Sequence, residues 1–133
     1  MFPSRTLSLT INRPYAEAYA FLNNPANILL WTDGVRDMQL RQASGYVWHS
    51  RYFGQDVQLT FTPPNALGVL DLAVAVEGRL PRVHHIRVFP NGKGTELCLT
   101  IIQTADESDD QFSSECEWLR TDLQVLKAYL DLP

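Results

Sequence analysis

Cysteine is scarce and basic runs are missing. The chain of 133 residues has two cysteines, Cys98 and Cys116, and their separation fits no metal-binding or redox spacing. Both are expected to be buried free thiols, the usual habit of unpaired cysteine. The formal net charge is −4, and Lys and Arg are scattered singly. Nucleic acid is therefore not an expected partner, because its phosphates draw clusters of basic side chains. No apolar run approaches a membrane span. The first five residues hold no apolar segment of the length a signal peptide needs, so a cytoplasmic location is expected. No Ser–His–Asp order, glycine-rich phosphate loop or pair of inward carboxylates can be assembled, and no metal or cofactor is expected. There is no repeat, linker or low-complexity stretch. Residues 1–133 are expected to form one domain, long enough for one core and too short for two.

What is present is organised around the C-terminal stretch 108–131. Phe112, Cys116, Leu119, Leu123, Leu126 and Leu130 follow at alternating steps of four and three, which puts them on one stripe of an α-helix. Ser108 and Gln111 have the spacing of a capping box. Asp109 and Asp110 in the first turn and Lys127 near the far end suit the helix dipole. Such a helix spans roughly 34 Å at 1.5 Å per residue, about the width of a small domain.

The remainder reads as strand and turn, apart from two short helices early on. Leu7, Leu9 and Ile11 alternate with Thr6, Ser8 and Thr10 in a half-buried strand. Pro14 then opens a helix that carries Tyr15, Ala18, Tyr19 and Leu22 on one face. A second short helix covers about 25–31, and Asp33-Gly34 signals a turn. Strands are predicted at 35–41, 46–53, 56–62, 69–77, 82–89 and 95–103. Asn91-Gly92, taken as a two-residue hairpin loop, pairs Val88 with Thr95, Arg87 with Glu96, Ile86 with Leu97 and His84 with Leu99. Gly54-Gln55, treated alike, pairs Tyr52 with Val57, Ser50 with Leu59 and Trp48 with Phe61. The inner face then holds Tyr46, Trp48, Ser50 and Tyr52 on one strand, Val57, Leu59 and Phe61 on the next, and His84, Ile86, Val88, Leu97 and Leu99 beyond. A slip of one residue would reverse every assignment. The sum is an α+β fold: a curved seven-stranded antiparallel sheet wrapped on a long C-terminal helix, with two short helices between strands one and two.

That order resembles the START-like or SRPBCC superfamily, the helix-grip fold, which includes the birch-pollen allergen and the polyketide cyclase/dehydratase-like proteins. TINRPYAEAYAFLNNPANILLWTDGV (10–35) resembles the early helical region of its bacterial members. RVFPNGKGTEL (87–97) and DQFSSECEWLRTDLQVLKAYL (110–130) resemble the hairpin and closing helix of one uncharacterised bacterial subgroup. The resemblance implies a cavity between helix and sheet that holds a small hydrophobic or aromatic molecule; it implies no shared catalytic motif.

His84 is the one histidine on the inner face. It either serves a ligand, as hydrogen-bond donor or general acid/base, or is a core histidine bonded to a tyrosine or to the backbone. Tyr46, Trp48, Ser50 and Tyr52 make an aromatic wall, read either as a ligand lining or as ordinary core. Phe61, Leu99, Leu119 and Leu123 complete the expected lining, and Trp31 either closes the mouth or only packs. Arg36 has the parity to enter the cavity or to reach solvent. Two functions are consistent with this. One is a carrier, sensor or sequestering protein for a hydrophobic molecule. The other is a polyketide cyclase/dehydratase-like enzyme in which His84 and Tyr52 move a proton.

Overall fold

The computed structural model describes residues 1–32, 39–52 and 54–131. Among them, seven strands form one antiparallel sheet: β1 (Ser4–Ile11), β2 (Arg41–Ser44), β3 (Val47–Tyr52), β4 (Gln55–Phe61), β5 (Leu72–Val76), β6 (Arg82–Asn91) and β7 (Gly94–Ile102). Helix α1 (Tyr15–Leu22) and a 3-10 helix (Pro25–Leu30) follow β1, and helix α2 (Asp109–Leu130) comes last. The order across the sheet is β1-β7-β6-β5-β4-β3-β2. Consecutive strands from β2 to β7 are neighbours, whereas β1 pairs with β7. The chain between β1 and β2 must therefore pass from one edge of the sheet to the other, and the short helices lie on that path.

Helix α2 is fixed at both ends. The Ser108 hydroxyl accepts the Gln111 N–H at 3.1 Å and the Gln111 side chain accepts the Ser108 N–H at 2.8 Å, a capping box that satisfies two otherwise orphaned donors. At the other end Arg13 donates to the Leu130 carbonyl at 2.6 Å, the Asn12 N–H donates to Asp131 at 2.7 Å, and Lys127 donates to the Thr10 carbonyl at 2.6 Å. These bonds tie the end of α2 to the β1–α1 junction. Between them Phe112, Cys116, Leu119, Leu123, Leu126 and Leu130 are buried, packed with Leu7 and Ile11 of β1, Leu97, Leu99 and Ile101 of β7, and Ile86 and Val88 of β6. A second, smaller cluster joins Ile28 of the 3-10 helix to Val57, Leu59 and Leu72. Trp31 packs against both.

Both hairpins differ from the sequence reading by two residues. Asn91 pairs with Gly94, so Ile86 faces Leu99, Arg87 faces Cys98 and Val88 faces Leu97. The loop is Gly92-Lys93, with Gly92 at φ 58° supplying the left-handed conformation that glycine adopts most easily. Likewise Tyr52 pairs with Gln55, Ser50 with Val57 and Trp48 with Leu59. A shift of two moves partners but not faces, since side chains alternate with period two. Apart from Tyr46, which falls outside β3, and Tyr52, whose side chain lies outside the description, the inward assignments on these strands therefore survive. Arg87 meets Asp71 on the outer face, not Glu96.

Two strands begin elsewhere than expected. Residues 33–38 lie outside the described residues, and with them the Asp33-Gly34 turn, Arg36 and most of the strand predicted at 35–41; only Arg41 of it falls in β2. The strand predicted at 69–77 starts at Leu72. Before it, the Asp71 carboxylate takes the Ile86 N–H at 2.9 Å, and Gly68 packs so closely that a Cβ there would come within 2.0 Å of the Val88 carbonyl oxygen. Cys98 and Cys116 are both unbonded. Cys116 is buried as expected, but Cys98, opposite Arg87 and Ser8 in the sheet, is only half-buried.

Candidate functional site

Between α2, the 3-10 helix and the concave face of the sheet lies a cavity of about 700 Å³. Its walls follow from the register. Leu97 and Leu99 of β7, Leu72 and Val74 of β5, and Leu59 and Phe61 of β4 project from the sheet, Leu119 and Leu123 descend from α2, and Ile28 and Trp31 close one side. One end is polar, where His84 and Arg82 of β6 meet Glu107 and Glu115.

His84 and Arg82 share the inward face because they are two residues apart on one strand. The His84 ring has no hydrogen-bond partner among the described residues, and the cavity is the space it faces. Burial holds its pKa down to about 4, helped by the positive charges of Arg82 and His85. The ring is therefore neutral at ordinary pH, with one donor and one acceptor to offer.

Arg82 is committed to the protein. Its guanidinium donates to the Ile102 carbonyl, to Glu107, and to Glu115 at 2.9 Å, and it lies over the Phe112 ring, 5.9 Å from the centroid. Burial pushes the Glu115 carboxyl up to about 7, and a hydrogen bond to Glu107 adds to this against the pull of Arg82. Burial acts the same way on Glu107, but hydrogen bonds from Glu115 and Arg82 outweigh it and hold that carboxyl below its usual range. One guanidinium thus sits beside two carboxyl groups, of which Glu115 holds its proton the more tightly.

Of the residues singled out in the sequence, Trp31, Phe61, His84, Leu99, Leu119 and Leu123 come together around this cavity. Three do not. Tyr46 falls in the turn before β3 and is 40 % exposed, because Gly45 at φ 54° ends β2 one residue earlier. Trp48 faces inward but packs edge-on against Phe61, ring centroids 6.5 Å apart. Ser50 is buried against a separate hollow shared with Leu40, His49 and Gln58. The Tyr52 side chain and Arg36 lie outside the description. Sequence reasoning missed Arg82, Glu107 and Glu115, and wrongly held that no inward carboxylates could be paired. The signal was present: Glu115, Leu119 and Asp122 repeat the four-three step of the apolar stripe, and Asp122 is buried too.

The histidine gives a test with a definite sign. In the unfolded chain the ring protonates near its ordinary 6.5, in the folded chain only near 4. Folding stability should therefore fall as pH drops through that window, by on the order of 3 kcal/mol in all. In His84→Leu this loss should disappear, leaving a variant that gains on the parent chain toward pH 4. Melting temperatures across pH 4–8 measure it; parallel profiles for the two proteins would contradict the assignment.

No protein-family model matches the sequence, and no curated protein matches it. Solved structures do. A protein from Nitrosospira multiformis superposes with a TM-score of 0.75 at 12% identity, over 96% of each chain. CalU16 from Micromonospora echinospora gives 0.67 at 16% identity, over 98% of this chain and 76% of its own. Ara h 8.0201 gives 0.70 at 10% identity, over 98% of both. At such identities the likeness shows the fold, which is the helix-grip fold. Among the described residues no helix is long and apolar enough to cross a membrane.

Proposed function

We propose that this chain binds a small hydrophobic or aromatic molecule between the sheet and α2, as a carrier, sensor or sequestering protein. The observation that carries the reading is the cavity itself. Its volume of about 700 Å³ is inside the range of about 300–1,000 Å³ typical of ligand sites. Its walls are largely apolar, and His84 supplies a polar contact that nothing in the described protein uses. Phe61, Leu99, Leu119 and Leu123 hold the apolar body of the ligand, Trp31 covers it, and His84 bonds its oxygen. Native mass spectrometry of freshly purified protein, with extraction of any bound molecule, and titration with the uncharged dye Nile red test this. A co-purified apolar molecule, or saturable dye binding that is weakened in His84→Leu, is expected. Absence of both would overturn the proposal.

One observation favours a second reading, a polyketide cyclase/dehydratase-like enzyme. Two titratable groups on one cavity are pushed in opposite directions, His84 toward the neutral base and Glu115 toward the protonated acid, the arrangement that acid–base chemistry needs. No tyrosine lines the cavity among the described residues, so the acid in this reading is Glu115, with His84 as base.

A further inference from the structure

We infer that the cavity takes up a proton together with its guest: the carboxyl pair of Glu107 and Glu115 is the seat of that proton, and an apolar molecule is held while the pair keeps it and let go as the pair ionises. The inference rests on the binding reading above and adds the control of that site.

Two carboxyl groups meet on one atom. Nη2 of Arg82 donates to Glu107 and, at 2.9 Å, to Glu115. The Glu107 and Glu115 side chains are 13% and 28% exposed, and the guanidinium between them 11%. One positive charge there stands against two acidic groups, so ionising the second carboxyl costs more than ionising the first. Burial and the neighbouring Glu107 keep the proton on Glu115 up to about 7. At Glu107 the hydrogen bonds from Glu115 and Arg82 outweigh burial, and that carboxyl ionises below its usual range.

Other charged and titratable groups surround Glu115. Arg79, exposed in the turn between β5 and β6, pulls against the shift. Asp106, in the loop before α2, is held below its usual range by Thr104 and the Leu80 N–H. Burial, with Arg82 and His85, keeps the His84 ring of β6 neutral down to about 4. Burial pushes the adjacent Cys116 thiol up, with Arg5 of β1 pulling against it. On α2 itself Asp110 is exposed, and Asp122 is buried with a partner of its own.

The cavity couples the pair to a guest. Glu107 and Glu115 both line it, and Leu119, one turn along α2 from Glu115, belongs to its apolar wall. A guest seated between Leu119 and His84 displaces the water that reaches the exposed part of Glu115. Losing that water costs a carboxylate free energy that it does not cost a neutral carboxyl. The guest is therefore bound best with Glu115 protonated, and by linkage its binding strengthens the hold of Glu115 on the proton. The sign follows: affinity is full near pH 6 and falls as pH rises through 7 and beyond.

The test is a titration with uncharged Nile red at steps from about pH 6 to about pH 9. Its dissociation constant is expected to rise about tenfold across that range, a gap of about 1.4 kcal/mol. In Glu115→Gln, which keeps the shape and cannot ionise, the constant should stay level near the parent chain's value at pH 6. In Glu107→Gln, where the like charge is gone, the step should move to lower pH. A level profile in a parent chain that binds the dye would overturn the proton coupling and leave the binding reading standing. The parent chain's slope, unchanged in both variants, would put the proton on another group and overturn the inference as well. Failure of the dye to bind at any pH would remove the binding reading, and the coupling with it.

Discussion

Truncation after Ala105 is expected to abolish the fold. Helix α2 contributes six buried apolar side chains, and they are the inner half of the larger cluster, facing β1, β6 and β7. Phe112, Leu119, Leu123, Leu126 and Leu130 alone account for on the order of 8–15 kcal/mol of burial at about 1.5–3 kcal/mol each. The whole stability of a typical domain is roughly 5–15 kcal/mol. The loss also strips the inner faces of Leu7, Ile86, Leu97 and Leu99, which would then present a broad apolar surface to water. The truncated chain should be insoluble, or soluble without a cooperative thermal transition by circular dichroism. A sharp melting curve would mean that the sheet holds together without its helix, and that the tie between α2 and the β1–α1 junction is dispensable.

The second large effect concerns the cavity. Val74 on β5 lies opposite Leu59, is half-buried, and turns its exposed part to the cavity. Val74→Phe sends a ring into the space assigned to the ligand. In a solid interior that ring would force neighbours off their rotamers at a cost of roughly 1–3 kcal/mol. In a cavity of this size it finds room, and its burial offsets any small strain. The expected result is loss of Nile red binding by about a hundredfold, equivalent to about 2.8 kcal/mol, with a melting temperature no lower than that of the parent chain. A clear drop in melting temperature would say that the interior closes up in solution. Ser50→Phe, in the wall that the sequence places inward, is a poorer probe: Ser50 is 7% exposed and borders a different hollow.

That contrast marks how far the sequence could be read. The stripe and cap of α2 are local signals, carried by residues three and four apart, and the structure repeats them residue for residue. The inward faces of β3, β4, β6 and β7 were also legible, although both hairpin loops were centred one residue from their true place. An error of one in a loop centre shifts pairing by two, and a period of two is blind to that. What the loop error did change was partners: Arg87 was matched with Glu96 in place of Cys98, and its ion pair with Asp71, on the other side of β6, went unseen. Tyr46 was lost for a related reason: alternation predicts facing only within a strand, and it does not say where the strand starts. The polar end of the site was hidden differently. Arg82 and Glu115 have the spacing of inward residues, but their charge argues for the surface when each is taken singly. They are stable inside because Arg82, Glu107 and Glu115 answer one another, across 33 residues between Arg82 and Glu115, and a pairing at that distance leaves no trace in local pattern.

The division of the interior has a mechanical consequence. Thirteen buried apolar side chains hold α2 to β1, β7 and β6, whereas four join the 3-10 helix to β4 and β5 among the described residues. Cooperativity needs continuous packing, and the cavity interrupts it, so the two ends of the sheet are unequally anchored. The thinly packed wing carrying β2, β3 and β4 is the one that can swing outward while the rest stays closed. In the proposed binding role, a guest touching Leu119 and Leu123 on one side and Leu59 and Phe61 on the other would be a strut between the two clusters, and the interior would be mechanically continuous only with that guest in place.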